Sequence, residues 1–89
     1  MMALAHIPKH SEKILVQEVN GTVVLLSSES GEYFALDEVG GRVWELCDGM
    51  RSVSDIINVV CAEYDAPPET IQADVLELLG ELTSEKILV

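Results

Sequence analysis

The first half of the chain has the pattern of short apolar runs separated by turns that is typical of β-strands. Lys13–Val19 and Thr22–Ser28 are rich in Val, Leu and Ile, and they flank Asn20-Gly21. That pair supplies the two positive-φ residues of a type I′ turn, so the sequence predicts a hairpin. Val23–Leu26 is apolar on both faces of its strand. We therefore expect the second strand to be the central one.

A third strand is predicted at Glu32–Leu36. It follows the turn Ser28–Gly31, in which glycine closes the sequence Ser-Glu-Ser-Gly. Consecutive strands joined by turns form a meander, so the third strand is expected at an edge of the sheet. In such a strand Tyr33 and Ala35 point one way, while Glu32, Phe34 and Leu36 point the other.

The second half of the chain has helical periodicity in three segments. Asp37 is a suitable N-cap for a helix over Glu38–Cys47, and Ser52 with Asp55 forms a capping box for the next. Pro67-Pro68 starts a third helix, which runs to about Thr83. On that helix Ile71, Val75, Leu78 and Leu82 form one apolar stripe, and Leu76 and Leu79 form a second.

The predicted order of three strands and three helices gives an α+β fold, with the helices gathered on one side of an antiparallel sheet. Residues 1–11 show no periodicity and are expected to be a flexible N-terminal arm. Residues 12–89 are expected to form a single domain. Gly40-Gly41 lies inside the first helix, where its predicted use is close approach of helix and sheet.

Charge narrows the possible partners. Sixteen acidic residues against five basic ones give the chain a net charge of −11. Neither nucleic acid nor an anionic membrane is an expected partner, because both require a basic face. The third helix illustrates this, since it carries four acidic residues and no Lys or Arg: Glu69, Asp74, Glu77 and Glu81.

The sequence gives no support for catalysis. It contains no plausible Ser–His–acid set, no glycine-rich loop between a strand and a helix, and no Cys/His cluster, so neither an enzyme nor a cofactor is expected. Cys47 and Cys61 are predicted to be buried free thiols in a reducing compartment. With no signal peptide and no apolar run of 18 residues, we expect a cytoplasmic protein.

A short edge strand beside a helix with surplus apolar residues is a suitable place for strand addition. Unpaired N–H and C=O groups on Glu32–Leu36 can accept an extended peptide, and a flanking apolar groove can read its alternate side chains. The alternatives are a strand that is merely short and protected, or one that pairs with a second copy in an oligomer.

The sequence also resembles the PqqD-like family. Gly31-Glu-Tyr-Phe-Ala-Leu-Asp-Glu-Val-Gly40 and Val43-Trp-Glu-Leu46 are similar to its G-x-Y-x-x-L-N-x-x-G-x-x-I-W-x-L stretch. Asp48-Gly49 with Ser52–Ile57, and Glu63–Asp65 with Asp74–Leu79, resemble two later segments. The resemblance covers about residues 12–89. Asp37 departs from the usual Asn, which caps a helix equally well, and Gly41 beside Gly40 could loosen the first helix.

The resemblance implies a peptide chaperone, also called a RiPP recognition element, with a winged-helix-like fold. Such proteins bind the leader segment of a ribosomally made precursor peptide and present it to modifying enzymes. The implied site comprises the third strand and the third helix: Glu32, Tyr33, Phe34, Ala35, Leu36, Asp74, Val75, Leu76, Leu78 and Leu79. Of these we expect Tyr33, Ala35, Val75, Leu76 and Leu79 to line the groove and Phe34, Leu36 and Leu78 to face the core. Asp74 is expected to anchor a backbone N–H or a basic side chain of the leader.

Two pathways are compatible with the resemblance. Gly31-x-Tyr33-Phe34 in a free-standing chain is most similar to the recognition subunit of lasso-peptide systems, which works with a leader peptidase and a cyclase. Cys47–Gly49 and Tyr64–Pro67 are similar to the pyrroloquinoline quinone chaperone, which works with a radical-SAM enzyme. A structural or oligomerisation module that pairs through its edge strand is the alternative from another class.

Overall fold

The computed structural model describes residues 3–89, and Met1 and Met2 lie outside that range. Three strands are followed by three helices, which confirms the predicted α+β class. Strand β1 spans Ile14–Val19, β2 spans Thr22–Ser27 and β3 spans Tyr33–Leu36. Helix α1 spans Glu38–Leu46, α2 spans Val53–Glu63 and α3 spans Pro68–Ser84.

The sheet is an antiparallel meander in the order β1-β2-β3. Asn20 and Gly21 have φ values of 52° and 81°, so the predicted turn between β1 and β2 is confirmed. Strand β2 is central, and Leu25 on this strand is fully buried. Strand β3 pairs with β2 from Val23 opposite Leu36 to Leu26 opposite Tyr33. The described residues add no further strand beyond β3, so it is an edge of the sheet, as expected.

Side-chain caps position the first two helices. The Asp37 side chain accepts a hydrogen bond from the Gly40 N–H at 2.7 Å, which starts α1 directly after β3. Ser52 and Asp55 form the predicted capping box at the start of α2. The two glycines of α1 allow the predicted close approach, because a Cβ on Gly41 would lie 3.1 Å from Val23 Cγ2.

The core lies between β2 and the helices, and each helix contributes buried apolar side chains to it, among them Trp44 of α1. On α3 the buried row is Ile71, Val75, Leu79 and Leu82. Leu79 rather than Leu78 therefore joins the core, contrary to the sequence expectation. Leu78 is half-buried at the rim of this row. Among residues 3–89, no helix is both long and apolar enough to cross a bilayer.

The segment expected to be a loose arm makes backbone hydrogen bonds to the rest of the domain between Leu4 and Ser11. Lys9 and Val89 exchange two hydrogen bonds, and the Ser11 N–H donates to the Ile87 carbonyl. The His10 ring stacks on Trp44 with a centroid distance of 3.6 Å, and its Nε2 donates to the Trp44 carbonyl at 2.7 Å. The boundary at residue 11 and the mobility of the arm stay predictions.

Candidate functional site

The free edge of β3 presents unpaired backbone groups at alternate residues. The Ser27 N–H donates to the Glu32 carbonyl at 2.9 Å, so Glu32 directs its backbone groups toward β2. Because hydrogen-bonded and non-hydrogen-bonded pairs alternate in an antiparallel ladder, Phe34 and Leu36 also bond to β2. The N–H and C=O groups of Tyr33 and Ala35 therefore point away from the sheet, where an added strand can reach them.

A groove runs beside this edge and is closed on its far side by α3. Its volume is about 560 Å³, and α1 forms its floor. The apolar lining comprises Ala35 and Leu36 from β3, Val39, Gly40 and Val43 from α1, Tyr64 and Ala66 from the α2–α3 turn, and Ile71, Val75 and Leu78 from α3. The free backbone groups of β3 thus lie beside an apolar groove, which is the arrangement that strand addition requires.

The side chains of β3 divide as its alternation predicts. Tyr33 is 71% exposed, Ala35 is exposed, Phe34 is half-buried against the core and Leu36 is buried. Ala35 and Leu36 line the groove, whereas Tyr33 and Phe34 do not. The structure thus differs from the expectation at two positions, because Tyr33 does not line the groove and the buried Leu36 does. Tyr33 therefore contributes its backbone to the edge, and its side chain lies on the outer part of the site.

The structure changes which residues of α3 reach the groove. Asp74, Val75 and Leu78 line it, but Leu76 and Leu79 do not. Leu79 is fully buried in the core, and Leu76 lines a separate hollow beside the N-terminal segment. The expected groove face was therefore only partly right, because Val75 and Leu78 of the first apolar stripe line the groove, whereas Leu76 and Leu79 of the second stripe do not.

Several groove residues were absent from the sequence-based site. Val39 and Val43 come from α1, Tyr64 and Asp65 from the α2–α3 turn, and Ile71 from α3. One signal could have identified Ile71, since it shares a helical stripe with Val75 and Leu78. The contribution of α1 and of the turn depends on tertiary packing, which the periodicity does not encode.

The free edge of β1, on the opposite side of the sheet, can be compared with the free edge of β3. Strand β1 also has a free side, and the Ser28 N–H donates to the Lys13 carbonyl, so Ile14, Val16 and Glu18 direct their backbone groups outward. Five of the six residues of β1 are exposed. None of the six lines the groove beside β3 or the hollow beside the N-terminal segment. Of the two free edges of the sheet within residues 3–89, the β3 edge is therefore the one that lies beside the apolar groove.

The groove carries negative charge. Asp37, Asp65 and Asp74 line it together with no Lys or Arg. Three of the basic side chains pair elsewhere: Lys13 with Glu29, Arg42 with Glu45 and Glu63, and Arg51 with Asp48. The pKa of Tyr64 is raised by burial first and then by the charges of Glu38 and Glu63, which shows that the neighbourhood is acidic as well as apolar.

A second acidic group lies at the start of β3. The pKa of Glu85 is raised chiefly by the charge of Glu32 and by their hydrogen bond, with smaller contributions from burial and from Glu81. Glu85 caps the C-terminal end of α3, while Ile71 and Asp74 near its N-terminal end share the groove with Leu36. Helix α3 therefore runs along β3 in the opposite direction, and carboxylates flank both ends of the strand.

Neither Cys47 nor Cys61 forms a disulfide. Cys47 is fully buried, and burial, followed by the charge of Asp48, raises the pKa of its thiol to about 12. A thiol with so high a pKa is almost entirely protonated at neutral pH and is a poor nucleophile. Cys61 is half-buried and also free. Within residues 3–89, no three His, Cys, Asp or Glu side chains cluster as metal ligands.

Comparison with known proteins places the chain in a family. A family model described as coenzyme PQQ synthesis protein D (PqqD) matches residues 22–88. A curated relative, the PqqA binding protein of Bradyrhizobium diazoefficiens, is 35% identical over 82 residues, which are 92% of this chain and 77% of that protein.

Solved structures agree with this assignment. TbiB1 in complex with the TbiA(beta) leader peptide is 32% identical, with a TM-score of 0.78 over 90% of this chain and 93% of that one. The PqqD truncation of Methylobacterium extorquens PqqCD, described as a stand-alone RiPP recognition element, is 28% identical, with a TM-score of 0.79 over 100% and 95%. Lasso peptide synthetase B1 complexed with the leader peptide shares the fold at 20% identity, with a TM-score of 0.81 over 94% of this chain and 99% of that one. The sequence match across residues 22–88 and the identity to the Bradyrhizobium protein together show that this chain belongs to the PqqD family.

Proposed function

We propose that this protein is a RiPP recognition element that captures the leader segment of a ribosomally made precursor peptide as a fourth strand at the edge of β3. The observation that carries the proposal is the free backbone of Tyr33 and Ala35 beside the groove that α3 closes. Four backbone groups offer hydrogen bonds that do not depend on the leader's sequence. The groove then provides selectivity, because every second side chain of the leader enters it.

The energetics fit a reversible carrier. Each backbone hydrogen bond contributes about 1 kcal/mol net, and a large aliphatic side chain that leaves water contributes roughly 2 kcal/mol. Ordering the leader offsets part of this gain, so binding strength rests on the few side chains that enter the groove. A leader held in this way can later be released to an enzyme.

We assign the protein a role in presentation rather than in catalysis. The buried Cys47 thiol is almost entirely protonated at neutral pH, and relatives of the protein are described as a binding protein and a recognition element. The modifying enzymes are therefore the partners that act on the loaded complex. In a lasso-peptide system these are a leader peptidase and a cyclase.

For the pathway we propose lasso-peptide biosynthesis. The Gly31-x-Tyr33-Phe34 pattern supports it, as does the fit of this chain to nearly the full length of TbiB1. Pyrroloquinoline quinone biosynthesis, with a radical-SAM enzyme as partner, is the second candidate, favoured by identity to the PqqA binding protein. Parallel titrations with a lasso precursor leader and with PqqA separate the two, since the correct leader should bind at least about tenfold more tightly.

Two single substitutions to proline, one on each free edge of the sheet, test strand addition. Ala35→Pro removes an outward N–H from β3, and Val16→Pro makes the same change on the free edge of β1, where proline is equally tolerated. With the TbiA(beta) leader, a lasso precursor leader and PqqA as probes, isothermal titration should show that Ala35→Pro weakens binding about tenfold or more. Val16→Pro should leave affinity unchanged.

Equal binding by both proline variants, with unchanged melting temperatures, would overturn strand addition at β3. Mass in solution addresses the remaining alternative, a module that pairs its edge strand with a second copy. A dimer that persists at saturating leader and is broken by Ala35→Pro would establish that alternative instead.

A further inference from the structure

The groove carries three carboxylates and no base, and this arrangement restricts which leader it can hold. The inference rests on the proposed function and adds the chemical class of the leader. Asp65 and Asp74 have no hydrogen-bond or ion-pair partner among residues 3–89. Asp37 accepts the Gly40 N–H and keeps its remaining lone pairs free.

An apolar ligand alone leaves this charge uncompensated. A peptide laid over the groove excludes water from Asp74, and a carboxylate that loses water without gaining a partner opposes binding. An acidic peptide adds repulsion from a chain of net charge −11. A Lys or Arg beside the groove removes both penalties, because its long stem covers apolar surface while its charged end reaches the carboxylate.

We propose that the segment bound at β3 carries an apolar anchor that enters the groove and a Lys or Arg that pairs with Asp74 and Asp65. The anchor lies over Val43, Ile71 and Val75, which form the buried floor between α1 and α3. Asp74 is exposed on the α3 rim, one turn from Leu78, and Asp65 is exposed where the α2–α3 turn ends the groove. Side chains on one face of an added strand are two residues apart, so the base follows or precedes the anchor by two residues or a multiple of two.

A selection from random peptides tests this inference and does not require the natural leader. A phage-displayed library of linear dodecapeptides is enriched on the immobilised full-length protein, on D65N/D74N and on E77Q. Glu77 is an exposed acid of α3 that lies outside the groove, so its removal controls for the loss of a carboxylate elsewhere on the same helix. The wild type and E77Q should enrich an apolar residue with Lys or Arg at even spacing. D65N/D74N should keep the apolar residue and lose the excess of basic residues.

One enriched peptide then gives the size of the effect. Replacing its base by Gln should weaken binding to the wild type roughly fivefold at low salt and less at high salt, and should change binding to D65N/D74N little. Enrichment of apolar residues without bases, or identical bases on D65N/D74N, would overturn the charge inference and leave peptide capture intact. No apolar-anchored enrichment on any of the three proteins would overturn the proposed function itself.

Discussion

At the scale of single residues, two adjacent glycines set the distance between α1 and the sheet. A Cβ on Gly41 would meet Val23 Cγ2 at 3.1 Å, and one on Gly40 would meet Leu36 Cβ at 3.3 Å. Val23 is β-branched and has little rotational freedom with which to yield. The glycines weaken the helix intrinsically, yet they bring α1 close enough to β3 to form the groove floor.

Gly41→Ala should therefore destabilise the protein by about 1 kcal/mol, since overpacking against Val23 exceeds the gain in helix propensity. Gly80→Ala is the matched control, because a Cβ there meets nothing within 4 Å. It should stabilise α3 by up to about 1 kcal/mol. Urea unfolding measures both, and equal stabilisation by the two changes would show that α1 does not need the glycine.

The buried Cys47 thiol gives a prediction in alkaline solution. Its pKa is raised to about 12, whereas the unfolded chain loses this proton near pH 9. Between these values the unfolded state binds fewer protons than the folded state, so stability falls as pH rises. Wild type should lose stability from pH 9 upward relative to Cys47→Val, measured by urea unfolding across that range. If the stability of both proteins changed with pH in the same way, Cys47 would not have the raised pKa assigned to it.

At the scale of elements, the caps and turns were predictable because they depend on neighbours in sequence. Asn20-Gly21, Asp37 and the Ser52–Asp55 capping box all appear where the sequence places them. Which side of α3 is buried could not be predicted in the same way. Its sequence has two apolar stripes, and packing against α1 and α2 selects a buried row that takes Val75 from one and Leu79 from the other.

Asp37 lies between β3 and α1 and is the N-cap of α1. The contribution of this cap to the free energy of unfolding can be measured separately. Asp37→Ala removes the hydrogen bond to the Gly40 N–H and should lower the free energy of unfolding by about 1 kcal/mol. Asp37→Asn keeps an accepting oxygen and should cost much less. Chemical denaturation separates the variants. A loss as large for Asn as for Ala would mean that charge, rather than the cap, is what α1 requires.

At the scale of the whole molecule, residues 9–11 pair with residues 87–89. Lys9 to Ser11 bond with Ile87 to Val89, and the Pro8 carbonyl accepts the Gly49 N–H. No sequence pattern in residues 1–11 reveals these contacts, because the partners are distant in sequence and the bonds are made by backbone. Residues 87–89 follow α3 closely, so this pairing connects the N-terminal segment to the end of that helix.

His10→Ala tests whether the N-terminal segment is part of the folded domain or a mobile arm. It removes the stack on Trp44 and the hydrogen bond to its carbonyl, which should cost about 1 kcal/mol and lower the melting temperature by roughly 5 °C. His6→Ala is the control, because the His6 side chain is exposed. Identical melting temperatures for the two variants would support the mobile arm expected from sequence.

Amide hydrogen exchange at β3 tests strand addition most directly. In the free protein the N–H groups of Phe34 and Leu36 bond to β2 and should exchange slowly, whereas those of Tyr33 and Ala35 face solvent and should exchange fast. At a leader concentration that saturates binding, Tyr33 and Ala35 should slow by at least about tenfold, while Val16 on the β1 edge stays unchanged. Fast exchange at Tyr33 and Ala35 in the saturated complex, or protection at Val16 instead, would contradict capture of the leader at the edge of β3.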